Sequence, residues 1–146
     1  MSTIHAGLYE WLGDQLGIVR LVGARISKAG SPASATYPRI TYQRISSQLE
    51  QHFTAGAGLA MATFQINVFD TDGTRVNEVS EAVRNALQGL PANTKWGPHG
   101  EFRICGVFLK GQQDLSVQPT NSSEQLKYHV AMDFDVHYQE SVPTFA

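Results

Sequence analysis

The chain has a single cysteine, Cys105, among 146 residues. No internal disulfide can form, and no second thiolate is available to share a zinc site with it. Charge is also scarce: eleven Lys and Arg stand against thirteen Asp and Glu, for a net charge of −2. Without a basic surplus, bulk attraction to nucleic acid is disfavoured, although a local basic face is compatible with these totals. No eighteen-residue apolar run occurs, and the first residues, Met1-Ser2-Thr3-Ile4-His5, lack a basic region followed by an apolar stretch. The expectation is an intracellular, soluble protein with no membrane partner. Fixed-period repeats and low-complexity segments are absent, which excludes solenoid architectures. What remains is a chain 42% hydrophobic and 16% charged, a composition that suits one domain over residues 1–146 holding its fold by its own core.

Periodicity supplies the elements. Ile4, Leu8, Trp11, Leu12 and Leu16 fall at helical spacing between Thr3, a candidate N-cap, and Gly17. A second apolar cluster, Ile18 to Val22, stops at Gly23. Residues 27–36, with Gly30, Ser31, Pro32 and Ser34, have loop chemistry. After Pro38, the segment Arg39 to Ser46 alternates as Ile40 and Tyr42 and then changes phase at Ile45, which predicts a strand with a bulge. Residues 52–58, including His52, Phe53, Gly56 and Gly58, read as a hairpin loop. Ala60, Ala62, Phe64, Ile66 and Val68 then share one strand face, opposite Thr63, Gln65 and Asn67. Val76, Val79, Val83, Ala86, Leu87 and Leu90 define a helix capped by Asp72 or Thr74 and stopped by Gly89 and Pro91.

Trp96 falls in a polar loop, and Phe102 to Leu109 has the apolar content of a strand buried on both faces, with Cys105 as a small buried hydrophobe. Leu126 to Tyr138 alternates throughout, setting Tyr128, Val130, Met132, Phe134 and Val136 against His129, Asp133, Asp135 and His137. The sum is an α+β fold: a loop-rich, mainly antiparallel β-sheet with two α-helices packed on one face. The polar strand face must meet solvent or another copy of the chain.

No arrangement of residues carries chemistry. The five histidines are neither four apart on a helix nor beside a CxxC pair, so no metal or other cofactor is expected. Asp70-Thr71-Asp72-Gly73 lacks the spacing of a calcium loop, and Gly56-Ala57-Gly58 precedes a strand where phosphate loops lead into helices. No Gly-x-Ser-x-Gly elbow is present, and the expectation is a protein that is not an enzyme. Charge placement says more. Between Asp14 and Glu50 every charge is positive, Arg39 and Arg44 included, whereas Asp133, Asp135 and Glu140 cluster near the other end. These are adjacent solvated faces of one molecule, or the two sides of a head-to-tail contact between copies.

The order of these patterns resembles the bacteriophage tail completion proteins, also called tail terminator or head-to-tail joining proteins. The resemblance spans Leu8 to Tyr138 and rests on Leu8-Tyr9-Glu10-Trp11-Leu12, Leu21 to Ile26, Tyr37 to Ser46, Phe64 to Phe69, Ala82 to Leu87 and Tyr128 to Tyr138. It implies a structural virion protein, made in the host cytoplasm, that forms a homo-hexameric ring at the head-proximal end of the tail. The implied partners are other copies of itself, the tail tube protein and the head connector or stopper; DNA can pass through such a ring without sequence-specific contact. On this basis Arg39, Tyr42, Arg44, Asp133 and Asp135 are candidates for the contact between copies. Ser31, Pro32, His52, Phe53, Gly56, Gly58 and Trp96 are candidates for contacts to tube or connector. A tube or stopper subunit, or a small ligand-binding domain, are the alternatives.

Overall fold

The computed structural model describes residues 4–23, 25–28, 37–49, 59–91, 93–97, 100, 102–115 and 128–140. The loops at 29–36 and 52–58, with Ser31, Pro32, His52, Phe53, Gly56 and Gly58, lie outside the described residues, as does the cap at Thr3. The elements run α1 (Ile4–Gly13), α2 (Leu16–Val22), β1 (Ile26–Lys28), β2 (Arg39–Leu49), β3 (Leu59–Asp70), α3 (Gly73–Gln88), β4 (Thr94–Trp96), β5 (Phe102–Asp114) and β6 (Tyr128–Glu140). The six strands form one sheet in the order β1-β2-β3-β6-β5-β4.

Two expectations need correction. The described residues hold three helices rather than two, and β1 pairs with β2 in parallel, so the sheet is mixed. The extra helix arises at the chain's first break. Asp14 N–H closes α1 on the carbonyls of Glu10 and Trp11. Gln15 then turns extended (φ −86°, ψ 113°), and its carbonyl accepts from Ile18 and Val19 to start α2. That restart rotates Leu16 off the apolar stripe to 70% exposure, while Ile18 and Val22 are fully buried. The remaining pairs, β2·β3, β3·β6, β5·β6 and β4·β5, are antiparallel.

The strand periodicity dictates which face is covered. Ile40 and Tyr42 of β2, Ala62, Phe64, Ile66 and Val68 of β3, and Met132, Phe134 and Val136 of β6 are buried beneath the helices. Leu8 and Leu12 of α1 join them, as do Val76, Val79, Val83 and Leu87 of α3. Trp11 Nε1 donates to the Ala86 carbonyl at 3.0 Å, tying α1 to α3. The bulge expected at Ile45 is present as a register shift between Arg44 and Ser46.

The strand β5 departs from its sequence reading. It is not buried on both faces: Arg103, Cys105 and Phe108 are exposed, because the helices among the described residues lie on one side of the sheet and a register shift at Cys105 moves the apolar phase. Trp96 is likewise not a loop residue. It ends the short strand β4 and is 3% exposed, with its ring under Gly7 of α1.

The turn from β3 into α3 holds a fully buried carboxylate, Asp70. Asp72 caps α3, accepting from the amides of Thr74 and Arg75. The Asp70 side chain is 0% exposed and accepts from the amides of Thr71 and Asp72 and from Arg75, whose Nε lies 2.7 Å from Oδ2. Burial pushes the Asp70 carboxyl up, but the Arg75 and backbone hydrogen bonds outweigh it and hold the group below its ordinary value of 3.8. A depressed carboxyl contributes stability that is present above the unfolded value and lost as pH falls through the folded one. Asp70→Asn is therefore expected to cost about 2 kcal/mol at pH 7, less than a fully buried pair because Arg75 is 40% exposed. Urea midpoints of the two proteins should converge as pH falls below 4; a gap that persists unchanged would contradict the pairing.

Candidate interaction surfaces

The side of the sheet opposite the helices is built from the alternate residues of β2, β3, β6 and β5, and it is polar where the sequence alternates. Register lines up Gln43, Gln65 and Asp133 across three strands, and Thr63, Asp135 and Phe108 across another three. These rows are bonded together. Gln43 Nε2 donates to Gln65 Oε1 at 2.9 Å, the Thr63 hydroxyl donates to Asp135 Oδ1 at 2.6 Å, and His129 Nε2 lies 2.8 Å from Asn67 Oδ1. Phe69 stacks on His129 at 4.3 Å, and the Arg39 guanidinium sits 5.7 Å from the Phe69 ring centroid. The face is thus a cross-linked polar layer in which Thr63 and Asn67 are buried at 2% and 7% exposure.

The residues expected at a contact between copies divide between the two sides. Arg39, Asp133 and Asp135 share the open face. Tyr42 is buried at 5% exposure on the helix side, its ring 6.3 Å from that of Tyr9, and Arg44, in register with Phe64, lies on that side also. Asp133 Oδ1 and Arg44 Nε are shielded from solvent with no hydrogen-bond partner among the described residues. Trp96 Nε1 is in the same state, and its burial means that the folded chain does not present its ring to a tube or connector. His137 stands on the open face near Asp135, as the alternation predicts. Among the described residues no group of three or more His, Cys, Asp or Glu could hold a metal ion, and no helix is long and apolar enough to cross a membrane.

Sequence reasoning missed the exposed apolar side chains. Ile45 at 47%, Phe108 at 59% and Leu115 at 42% exposure stand on or beside β2 and β5. The signal for Phe108 was the odd phase of Arg103 and Cys105 against Phe102 and Ile104, which a bulge converts into an outward Phe108. On the helix side, α1, α2 and β1 border a groove of 590 Å³ whose lining includes Tyr9, Glu10, Asp14 and Ile26.

Two histidines titrate against the fold. Burial lowers His5, and the nearby positive charges of Arg44 and Lys28 lower it further. Burial also lowers His129, against the opposing pull of Asp114. Both favour the neutral ring in the folded state, so their contribution is intact above the ordinary value of 6.5 and is lost as pH falls below it. Urea midpoints should fall between pH 7 and pH 5, and the slope should flatten in a His5→Gln/His129→Gln variant. An equally steep slope in that variant would assign the pH dependence elsewhere.

The fold is shared with a chain in the virion of a native gene transfer agent particle. That chain is 16% identical, with a TM-score of 0.69 over 94% of this chain and 95% of that one. A further solved structure, 19% identical over 97% and 96% of the two chains, has a TM-score of 0.48. No curated protein matches by sequence. The family model for tail completion protein gp17 matches residues 6–139, and the chain belongs to that family. It is a structural protein of the bacteriophage virion, and its place is the tail.

Proposed function

We propose that copies of this chain close into a ring, of six as its resemblance implies, at the head-proximal end of the tail tube. The ring ends tube polymerisation and offers the head connector a surface to bind; the role is one of assembly and not of catalysis. The family match over residues 6–139 carries this reading. The open sheet face supports it, because it carries Arg39 on β2 and Asp133 and Asp135 on β6, charge of both signs that a neighbouring copy can meet.

Arg39, Asp133 and Asp135 act in this reading through the field of the open face. Arg39→Glu, or Asp133→Lys with Asp135→Lys, should weaken assembly several-fold at low salt and much less at 0.5 M salt, as measured by sedimentation; assembly unchanged in both variants would remove electrostatics from the account. The function itself is tested in the virus. With the gene disrupted, tubes should run past their normal length and remain unjoined to heads, and supplying the protein should restore joined particles. Joined tails of normal length without it would contradict the proposal.

A further inference from the structure

The two edges of the sheet have opposite outlines. At one edge, β1 covers β2 only at Ile40, Thr41 and Tyr42. At the other, β4 covers β5 only at Phe102, Arg103 and Ile104. Among the described residues, 43–49 of β2 and 106–113 of β5 pair on one side alone. Following the register across the sheet, Ser27 of β1 lies level with Thr41, Asn67, Ala131 and Gln113, so β1 projects at the end where β5 is uncovered. Thr94 of β4 lies level with Ile104, Tyr138, Ala60 and Leu49, so β4 projects at the end where β2 is uncovered. Among the described residues each edge is a step, and each projection faces the other edge's recess when two copies stand side by side in one orientation.

From this geometry we infer that a second copy of this chain docks edge to edge, β1 of one copy beside the uncovered half of β5 in the next, and β4 beside the uncovered half of β2. The inference rests on the ring reading and gives that ring its contact. Strand direction agrees. The strand β1 runs parallel to β2 and therefore antiparallel to β5, so the β1–β5 contact forms an antiparallel pair with no reversal of either copy. The apolar surface agrees as well: Ile45 and Phe108, two of the exposed large hydrophobic side chains, stand on the uncovered stretches, and Leu115 follows β5 directly. Register shifts interrupt both edges, after Arg44 and after Leu109. Bulges raise local twist and discourage indiscriminate pairing, which favours a curved, closing series over a flat stack. The contact is heterologous, one edge against the other, as a ring requires.

Cysteine pairs test the arrangement in the whole chain, with Cys105→Ser as background. Within one chain Ser27 and Gln113 are separated by β2, β3 and β6, which is four strand spacings or roughly 19 Å, beyond the reach of a disulfide. Ser27→Cys combined with Gln113→Cys, or with Gly111→Cys, should give on oxidation a ladder of linked copies ending at the closed oligomer, whereas neither single variant should extend past a dimer. Ile45→Lys with Phe108→Lys should also raise the concentration at which the assembly dissociates by roughly tenfold or more. An oligomer of unchanged mass that forms no ladder with either pair would overturn the edge contact and leave the ring. A protein that stays monomeric at all concentrations would overturn the ring reading and this contact with it.

Discussion

Phe134→Ala is expected to cost about 3–5 kcal/mol, a large share of the roughly 5–15 kcal/mol that a domain of this size holds. Phe134 is fully buried on β6, in register with Phe64 of β3 on one side and Leu109 of β5 on the other. Truncation therefore opens a cavity in the two central strands of the sheet, where neighbours on both sides are fixed by the ladder and cannot collapse into it. Urea unfolding should show a lowered midpoint with an unchanged slope. A loss below 1 kcal/mol would show that the two rings do not form the packed centre described above.

Gly7→Val should cost about 3 kcal/mol through the opposite fault, overpacking. A Cβ built at Gly7 would lie 2.7 Å from Trp96 Cβ and 3.2 Å from the indole ring. Trp96 is buried and its Cβ is fixed to the strand β4, so relief requires α1 to lift from the sheet edge. Gly13→Ala provides the control, since a Cβ there meets no atom within 4 Å, and its unfolding midpoint should move little. If the two variants unfold alike, α1 does not pack on β4 in the way the structure shows.

The parts of the fold legible in the sequence are those in which one period persists. Residues 60–68 and 128–138 alternate without interruption, and 76–87 keep helical spacing, so their buried faces could be read directly. The Asp72 cap and the bulge at Ile45 were legible for local reasons, a side chain that accepts from free helix amides and a change of apolar phase. What could not be read depends on contacts distant in the chain. Nothing in Thr94-Lys95-Trp96 announces a strand; it becomes one by pairing with Phe102 to Ile104 under the weight of α1. The exposure of Cys105 and Phe108 follows from their place in a strand near the sheet edge and from the described helices lying on the opposite side. The contact residues divided for a similar reason. Arg39 and Arg44 are neighbours in a basic stretch of sequence, but an odd separation in a strand sends their side chains to opposite faces.

The proposed ring requires that this tail completion protein close on itself. Light scattering of the purified chain over a range of concentrations, with negative-stain images of the same sample, tests it directly. The expected result is a discrete closed ring with the mass of six copies. Open filaments that lengthen with concentration would contradict it and assign the chain to the tube instead.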